Sequence, residues 1–296
     1  MNLVEEALVT RTAGDPGAYL INGAAGSVNY VVLWDDLRTA QLYPTTPVAA
    51  NFTLTVNNVK DLAGNPRPTA TVNGVFMGLT PVDLAFPGLP GESFTSDGIN
   101  LRMVGGGTDI WGTYDQCHYA SKTVSGNFDA RVRVASLTQA NVWSKAGIMV
   151  REDQDAAGRN VMVLATPLPL NNVYHTQWRE TAGAASASSA TITPVSYPDA
   201  WIRLARYGNT FTSLIKTNGT DWVVTQTYTP ASSYPSQVYV GLAVTAHDNA
   251  LTATGMFSGF NLTAPLSDVS VRKTAASDVV AQGGTITYTI TAANQA

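Results

Sequence analysis

A period of two constrains this chain more than any other feature. In 128–134, Phe128, Ala130, Val132 and Val134 share one face, while Asp129, Arg131 and Arg133 share the other. In 238–246, Val238, Val240, Leu242, Val244 and Ala246 line one side. Side chains alternate across a β-strand, so such runs predict strands with one face on a core. The stretches 28–34, 52–58, 143–151, 160–166, 201–206, 210–216, 222–228 and 285–291 read the same way. Turn pairs separate them, among them Asp97-Gly98, Ser125-Gly126, Gly208-Asn209 and Asn218-Gly219, residues that supply or tolerate positive φ. Long helical periodicity is missing. Many short antiparallel strands joined by turns predict an all-β chain of sandwiches or barrels.

Composition removes several function classes. The net charge is −4 and the 17 basic residues are scattered, whereas a nucleic-acid binder needs a basic stripe to displace counterions. A polybasic membrane-surface segment is missing for the same reason, and no run approaches the roughly 18 apolar residues of a membrane span. The single cysteine, Cys117, rules out an internal disulfide and a cysteine-built metal site. Charged residues make up 13% of the chain and hydrophobic ones 45%, enough apolar material for a real core.

At 296 residues the chain suits two domains and part of a third. Two joints stand out: Phe86-Pro87-Gly88-Leu89-Pro90-Gly91 and Thr263-Ala264-Pro265-Leu266-Ser267. The expected division is 1–85, 88–264 and 267–296. In the first part, 51–66 (NFTLTVNNVKDLAGNP) carries a strand running into a tight turn at Asp61-Leu62-Ala63-Gly64-Asn65-Pro66. It resembles the closing strand and turn of the S-layer-type bacterial Ig-like domain, and Leu37-Arg38-Thr39-Ala40-Gln41-Leu42 resembles the strand before it. That family opens with a strand not found here, so the resemblance implies a partial domain whose N-terminal strand is missing. The start also lacks the basic and apolar regions of a signal peptide.

The middle part carries Gly106-Gly107-Thr108-Asp109-Ile110-Trp111-Gly112, Gly126-Asn127-Phe128-Asp129-Ala130-Arg131-Val132 and Trp143-Ser144-Lys145-Ala146-Gly147-Ile148-Met149-Val150-Arg151. Trp201-Ile202-Arg203-Leu204-Ala205-Arg206 and Val238-Tyr239-Val240-Gly241-Leu242-Ala243-Val244-Thr245 follow in order. Residues 92–262 thereby resemble a bacterial concanavalin A-like, regulation-of-enolase-like sandwich family. In the tail, Gly284-Thr285-Ile286-Thr287-Tyr288-Thr289-Ile290-Thr291 resembles a strand of a conserved-repeat Ig-like domain of bacterial surface proteins. The resemblances together imply a concanavalin-like jelly-roll β-sandwich, preceded by a partial Ig-like sandwich and followed by a truncated Ig-like segment.

Ligand-binding residues follow from the strand phase. With Ala146, Ile148 and Val150 on the core, Trp143, Lys145, Gly147, Met149 and Arg151 share the opposite face. That face offers an aromatic platform, cationic donors and a glycine where a ligand can come close. On 238–247 the matching face carries Tyr239, Gly241, Ala243, Thr245 and His247. Sugars are held this way, ring on aromatic and hydroxyls on charged groups. Trp178, beside Gln177 and Arg179, is expected at a groove edge, while Trp111, Trp201 and Trp222 are expected in packing. The expected binding set is Trp143, Lys145, Met149, Arg151, Trp178, Tyr239 and His247. Packing or solvation of that face stays open beside it, because tryptophan, lysine and arginine also serve those roles on sandwich strands.

No catalytic residue is assigned. Related sandwich enzymes such as laminarinases carry E-x-D-x-x-E, which this sequence lacks; the nearest substitute is Glu152, Asp153 and Asp155 beside a hairpin loop. His118, His175 and His247 show no H-E-x-x-H spacing, and Gly105-Gly106-Gly107 lacks the Gly-Lys-Ser/Thr of a phosphate loop. No cofactor is called for, though structural calcium suits such a fold through carbonyls and an aspartate. The expectation is a non-catalytic, polysaccharide-binding module of a larger secreted or surface-displayed bacterial protein, with Ig-like spacers. A ligand-free spacer or adhesion segment and a divergent glycoside hydrolase are the alternatives.

Overall fold

The computed structural model describes residues 13–33, 40–46, 48, 50–60, 63–95, 97–168, 173–217, 221–264, 269–275 and 288–294. At the N-terminal end, β1 (Tyr19–Ile21), β2 (Val28–Leu33), β3 (Ala40–Pro44), β4 (Phe52–Val56) and β5 (Ala70–Gly74) form two small antiparallel sheets, β1-β4-β5 and β2-β3. Tyr19, Leu54, Val56 and Val59 give them a core of their own. The expected turn at 61–66 and the strand at 37–42 fall partly on Asp61, Leu62 and 37–39, outside the described residues.

Fifteen strands follow before the second joint. They are β6 (Thr80–Leu84), β7 (Glu92–Phe94), β8 (Asn100–Gly105), β9 (Asp109–Trp111), β10 (Tyr114–Ser125), β11 (Phe128–Leu137), β12 (Lys145–Arg151) and β13 (Asn160–Ala165). Next come β14 (Val173–Arg179), β15 (Ala187–Pro194), β16 (Ala200–Tyr207), β17 (Thr210–Lys216), β18 (Val223–Tyr228), β19 (Gln237–Thr245) and β20 (Ala253–Thr263). A front sheet runs β15-β14-β13-β12-β19-β10-β6, with β9 paired to the start of β10. A back sheet runs β18-β17-β16-β11-β20-β8-β7. All pairs are antiparallel, and neighbours such as β12–β19 and β11–β20 are far apart in sequence. This is the crossed connectivity of a jelly-roll sandwich.

Strand phase decides the core. Phe128, Ala130, Val132 and Val134 meet Ala146, Ile148 and Val150 and Val238, Val240, Leu242 and Val244 between the sheets, all essentially fully buried. Each of the valine, leucine, isoleucine and phenylalanine side chains among them contributes roughly 1.5–3 kcal/mol of burial. The alternation read from sequence therefore holds on β11, β12 and β19. It differs at two ends: β12 begins at Lys145, so Trp143 precedes the strand, and His247 lies two residues beyond β19 in a left-handed conformation, φ 56°.

The front sheet also reaches back across the expected joint near 85–88. Strand β6 pairs with β10 from Thr80↔Ser121 to Leu84↔Cys117, and Leu79 and Met77 pack on the inter-sheet core. At the C-terminal end, β21 (Val269–Ala275) and β22 (Tyr288–Asn294) pair antiparallel; β22 takes in the second half of the expected tail strand at 284–291, and its first half, 284–287, lies outside the described residues.

Candidate functional site

The face of the front sheet turned away from the core is where a groove is expected, and most of it is already covered. Across the strands from β14, one row reads Gln177, Met162, Met149, Gly241 and Ser121, and the next His175, Leu164, Gly147, Ala243 and Tyr119. All but His175 are buried. The glycines in these rows answer to the backbone rather than to a ligand. A Cβ on Gly147 would stand 2.2 Å from the Val163 carbonyl oxygen, and one on Gly241 2.0 Å from that of Ala120.

The cover is the β9–β10 hairpin. Ile110, fully buried, joins Met149, Met162 and Leu164 in a second apolar cluster on this outer face. Asp115 pins the hairpin down. Fully buried, it accepts hydrogen bonds from Arg151, from Arg179 at 2.6 and 2.8 Å and from Asn160 Nδ2 at 2.9 Å. One carboxylate between two guanidiniums leaves surplus positive charge, and hairpin carbonyls face it: Arg179 also donates to Gly112 O and Trp111 O, each at 3.3 Å. Burial pulls the Arg151 pKa down, but the Asp115 carboxylate more than offsets it and the net direction is up. A buried ion group survives only with such dense pairing.

One end of the face stays open as a cavity of about 330 Å³, near the lower limit of roughly 300–1,000 Å³ for small-molecule sites. Its floor is Lys145 of β12 with His175 and Gln177 of β14. Asp109 and Trp111 of β9 form one wall, and Trp143, His247 and Ser188 complete the lining. Trp111 and Trp143 are 39% and 38% exposed, so both indoles present surface. Lys145 Nζ donates to Asp109 Oδ1 at 2.6 Å and to Ile110 O at 3.0 Å, and stands 5.5 Å from the Trp111 ring centroid. Burial holds this ammonium below the usual lysine range, with Asp109 pulling the other way. Gln177 Nε2 donates to Ile110 O at 2.6 Å.

The two histidines sit differently. His247 Nδ1 stands 3.0 Å from Asp109 Oδ2 but off the hydrogen-bond direction. His175 meets the Trp143 ring edge-on, centroids 5.6 Å apart, with its Nε2 buried and unpartnered. Burial first, and the Lys145 charge second, push its pKa below the ordinary histidine value, so the ring is neutral at pH 7. Asp109 and Lys145 offset each other in charge, leaving a lining of indole faces, imidazole, amide and hydroxyl. Such a lining can stack a flat apolar ring and exchange hydrogen bonds with its hydroxyls.

Of the residues expected from sequence, the structure brings Trp143, Lys145 and His247 together in this cavity. Met149 and Arg151 are corrected: both are fully buried, one in the outer apolar cluster and the other on Asp115. Tyr239 is partly buried against that same cluster. Trp178 points the other way, packing on the inter-sheet core and stacking on Tyr228 with centroids 4.8 Å apart. Glu152, Asp153 and Asp155 lie outside the lining; Glu152 pairs with Arg159, while Asp153 and Asp155 cap the turn after β12. Trp111, expected in packing, is a wall of the site, and Asp109, His175, Gln177 and Ser188 join it unforeseen. Among the described residues, no three His, Cys, Asp or Glu side chains converge to hold a metal ion, and no helix is long and apolar enough to cross a membrane.

No family model and no curated protein matches this chain. Solved structures do. A functionally unknown protein from Saccharomyces cerevisiae matches at 17% identity and a TM-score of 0.50, over 64% of this chain and 97% of that one. A legume lectin-like domain from Entamoeba histolytica matches at 8% identity and 0.40, over 58% and 87%. The VIP36 exoplasmic/lumenal domain in its Ca2+/Man3GlcNAc-bound form matches at 8% and 0.40, over 60% and 84%. Glycoside hydrolases and an alginate lyase also occur among the matches. At these identities the likeness is one of fold: this chain is nearly all β and contains a jelly-roll β-sandwich.

Proposed function

We propose that this protein is a non-catalytic glycan-binding module, and that a sugar seats between Trp111 and Trp143. The observation that carries the reading is the pair of exposed indoles over a floor of Lys145, His175 and Gln177. An aromatic wall and a few convergent polar groups are what a sugar ring with apolar faces and a hydroxyl rim requires. The same lining weighs against hydrolysis. Glycosidases of the common kind use two carboxylates flanking the bond, and among the described residues this cavity is lined by one, Asp109, already engaged by Lys145. On the sequence resemblances, the strands before and after the sandwich act as Ig-like spacers of a secreted or surface bacterial protein. A small open site implies a Kd near the millimolar range, about −4 kcal/mol, which several copies would raise by avidity.

One observation favours a spacer without a ligand: the hairpin covers most of the outer sheet face, with Ile110 buried on Met149, Met162 and Leu164. Glycan-array binding followed by calorimetry separates the two. Trp143→Ala and Trp111→Ala are expected to weaken binding at least tenfold with little change in unfolding midpoint. Trp178→Ala is expected to keep binding while losing about 2–4 kcal/mol of stability, because its ring packs on the core. Absence of binding to any polysaccharide at millimolar concentrations of the full chain would sink the glycan reading and leave the spacer.

A further inference from the structure

We infer that this site takes the end of a glycan chain and excludes its interior. The inference rests on the glycan-binding reading and adds which part of the polymer is recognised. An open groove lets a polymer enter on one side and leave on the other; this cavity is blind in two directions. Across the strands from His175 the next residues are Leu164 and Gly147, both buried in the face where Ile110 of the hairpin already packs. Along β14 from Gln177 the next side chain on that face is Arg179, fully buried, with the Trp111 and Gly112 carbonyls against its guanidinium.

The cover is not a loose flap. Its central side chain, Ile110, and its anchor, Asp115, are both fully buried, so a ligand cannot displace it without uncovering an apolar cluster and an ion group together. The remaining volume, about 330 Å³, has room for a terminal sugar unit and its neighbour rather than a run of polymer. Trp111 belongs to the cover itself, so the element that closes the groove also supplies one face of the pocket.

The test uses the full chain with linear β-1,3-glucan, β-1,4-mannan and β-1,4-xylan, each as polymer and as oligosaccharides from disaccharide upward. For whichever series binds, affinity is expected to level off at the shortest oligomers. Binding capacity per mass of polymer is expected to double when an endo-acting hydrolase halves the mean chain length. Borohydride reduction, which opens the reducing-end ring, assigns the end: lost binding names the reducing terminus, retained binding the non-reducing one. Affinity that climbs with length, together with a capacity fixed by polymer mass and unchanged by cutting, would overturn end recognition while leaving the glycan reading intact. No binding in any series of a wider glycan panel would overturn both.

Discussion

His175 lies edge-on to Trp143 with its Nε2 buried and unpartnered, and burial together with Lys145 lowers its pKa below 6.5. The folded chain then binds this proton less readily than the unfolded chain does. Stability therefore rises with pH across the ordinary histidine range and is lost as pH falls below 6.5 toward the lower folded value. Urea midpoints at pH 7.5 and pH 5 for the natural chain and His175→Gln check this. The variant is expected to lose less stability on acidification; an identical pH dependence in both would show that His175 carries none of it. At this scale the sequence is legible through strand phase and misleading through adjacency along the chain. Phase on β14 places His175, Gln177 and Arg179 on the outer face and Tyr174, Thr176 and Trp178 on the inner one. Trp178, expected at a groove edge from its neighbours Gln177 and Arg179, is one residue out of phase with them and packs on the core. Lys145 was found because it alternates with Ala146 and Ile148; Trp143, just outside the strand, was found because the run was read as longer than it is.

Among the elements, the β9–β10 hairpin decides how much of the outer sheet face stays open. Asp115 lies 36 positions from Arg151 and 64 from Arg179, so no local pattern announces their meeting. Arg151 read as a surface donor because an arginine on the outer face of a strand is ordinarily solvated, and nothing near it in sequence says that a carboxylate will arrive from above. Three glycines, Gly105-Gly106-Gly107, precede the hairpin. They permit close approach, since a Cβ on Gly107, at φ 103°, would stand 2.1 Å from the Gln116 carbonyl oxygen. The arrangement predicts a large, local cost. Asp115→Ala leaves two buried guanidiniums without their counter-charge, so about 3–5 kcal/mol of stability is expected to go. Hydrogen exchange should rise first in 108–116, where the anchor is lost. A variant that keeps its unfolding midpoint would mean the arginines find other partners and the hairpin stands by itself.

At the scale of the whole molecule, the unit that folds is set by sheet pairing rather than by Pro/Gly composition. The stretch Phe86-Pro87-Gly88-Leu89-Pro90-Gly91 reads as a joint, but the strand before it belongs to the front sheet. Strand β6 supplies five rungs to β10, and Leu79, 7% exposed, packs on the inter-sheet core. Composition marks where a chain turns; it says nothing about which side of the turn a strand's partner lies. A fragment cut at 88 would therefore lose the Leu79 side chain, worth about 2–5 kcal/mol on the usual scale for a buried leucine, and would leave β10 as a bare edge with unpaired backbone groups. Fragments 75–264 and 88–264, compared by urea unfolding and light scattering, are expected to differ. The longer one should unfold at the higher midpoint and stay monodisperse, while the shorter one associates through β10. Equal midpoints and equal size would mean that β6 is carried by the sandwich without supporting it, and that the N-terminal strands could be cut away at the turn without loss.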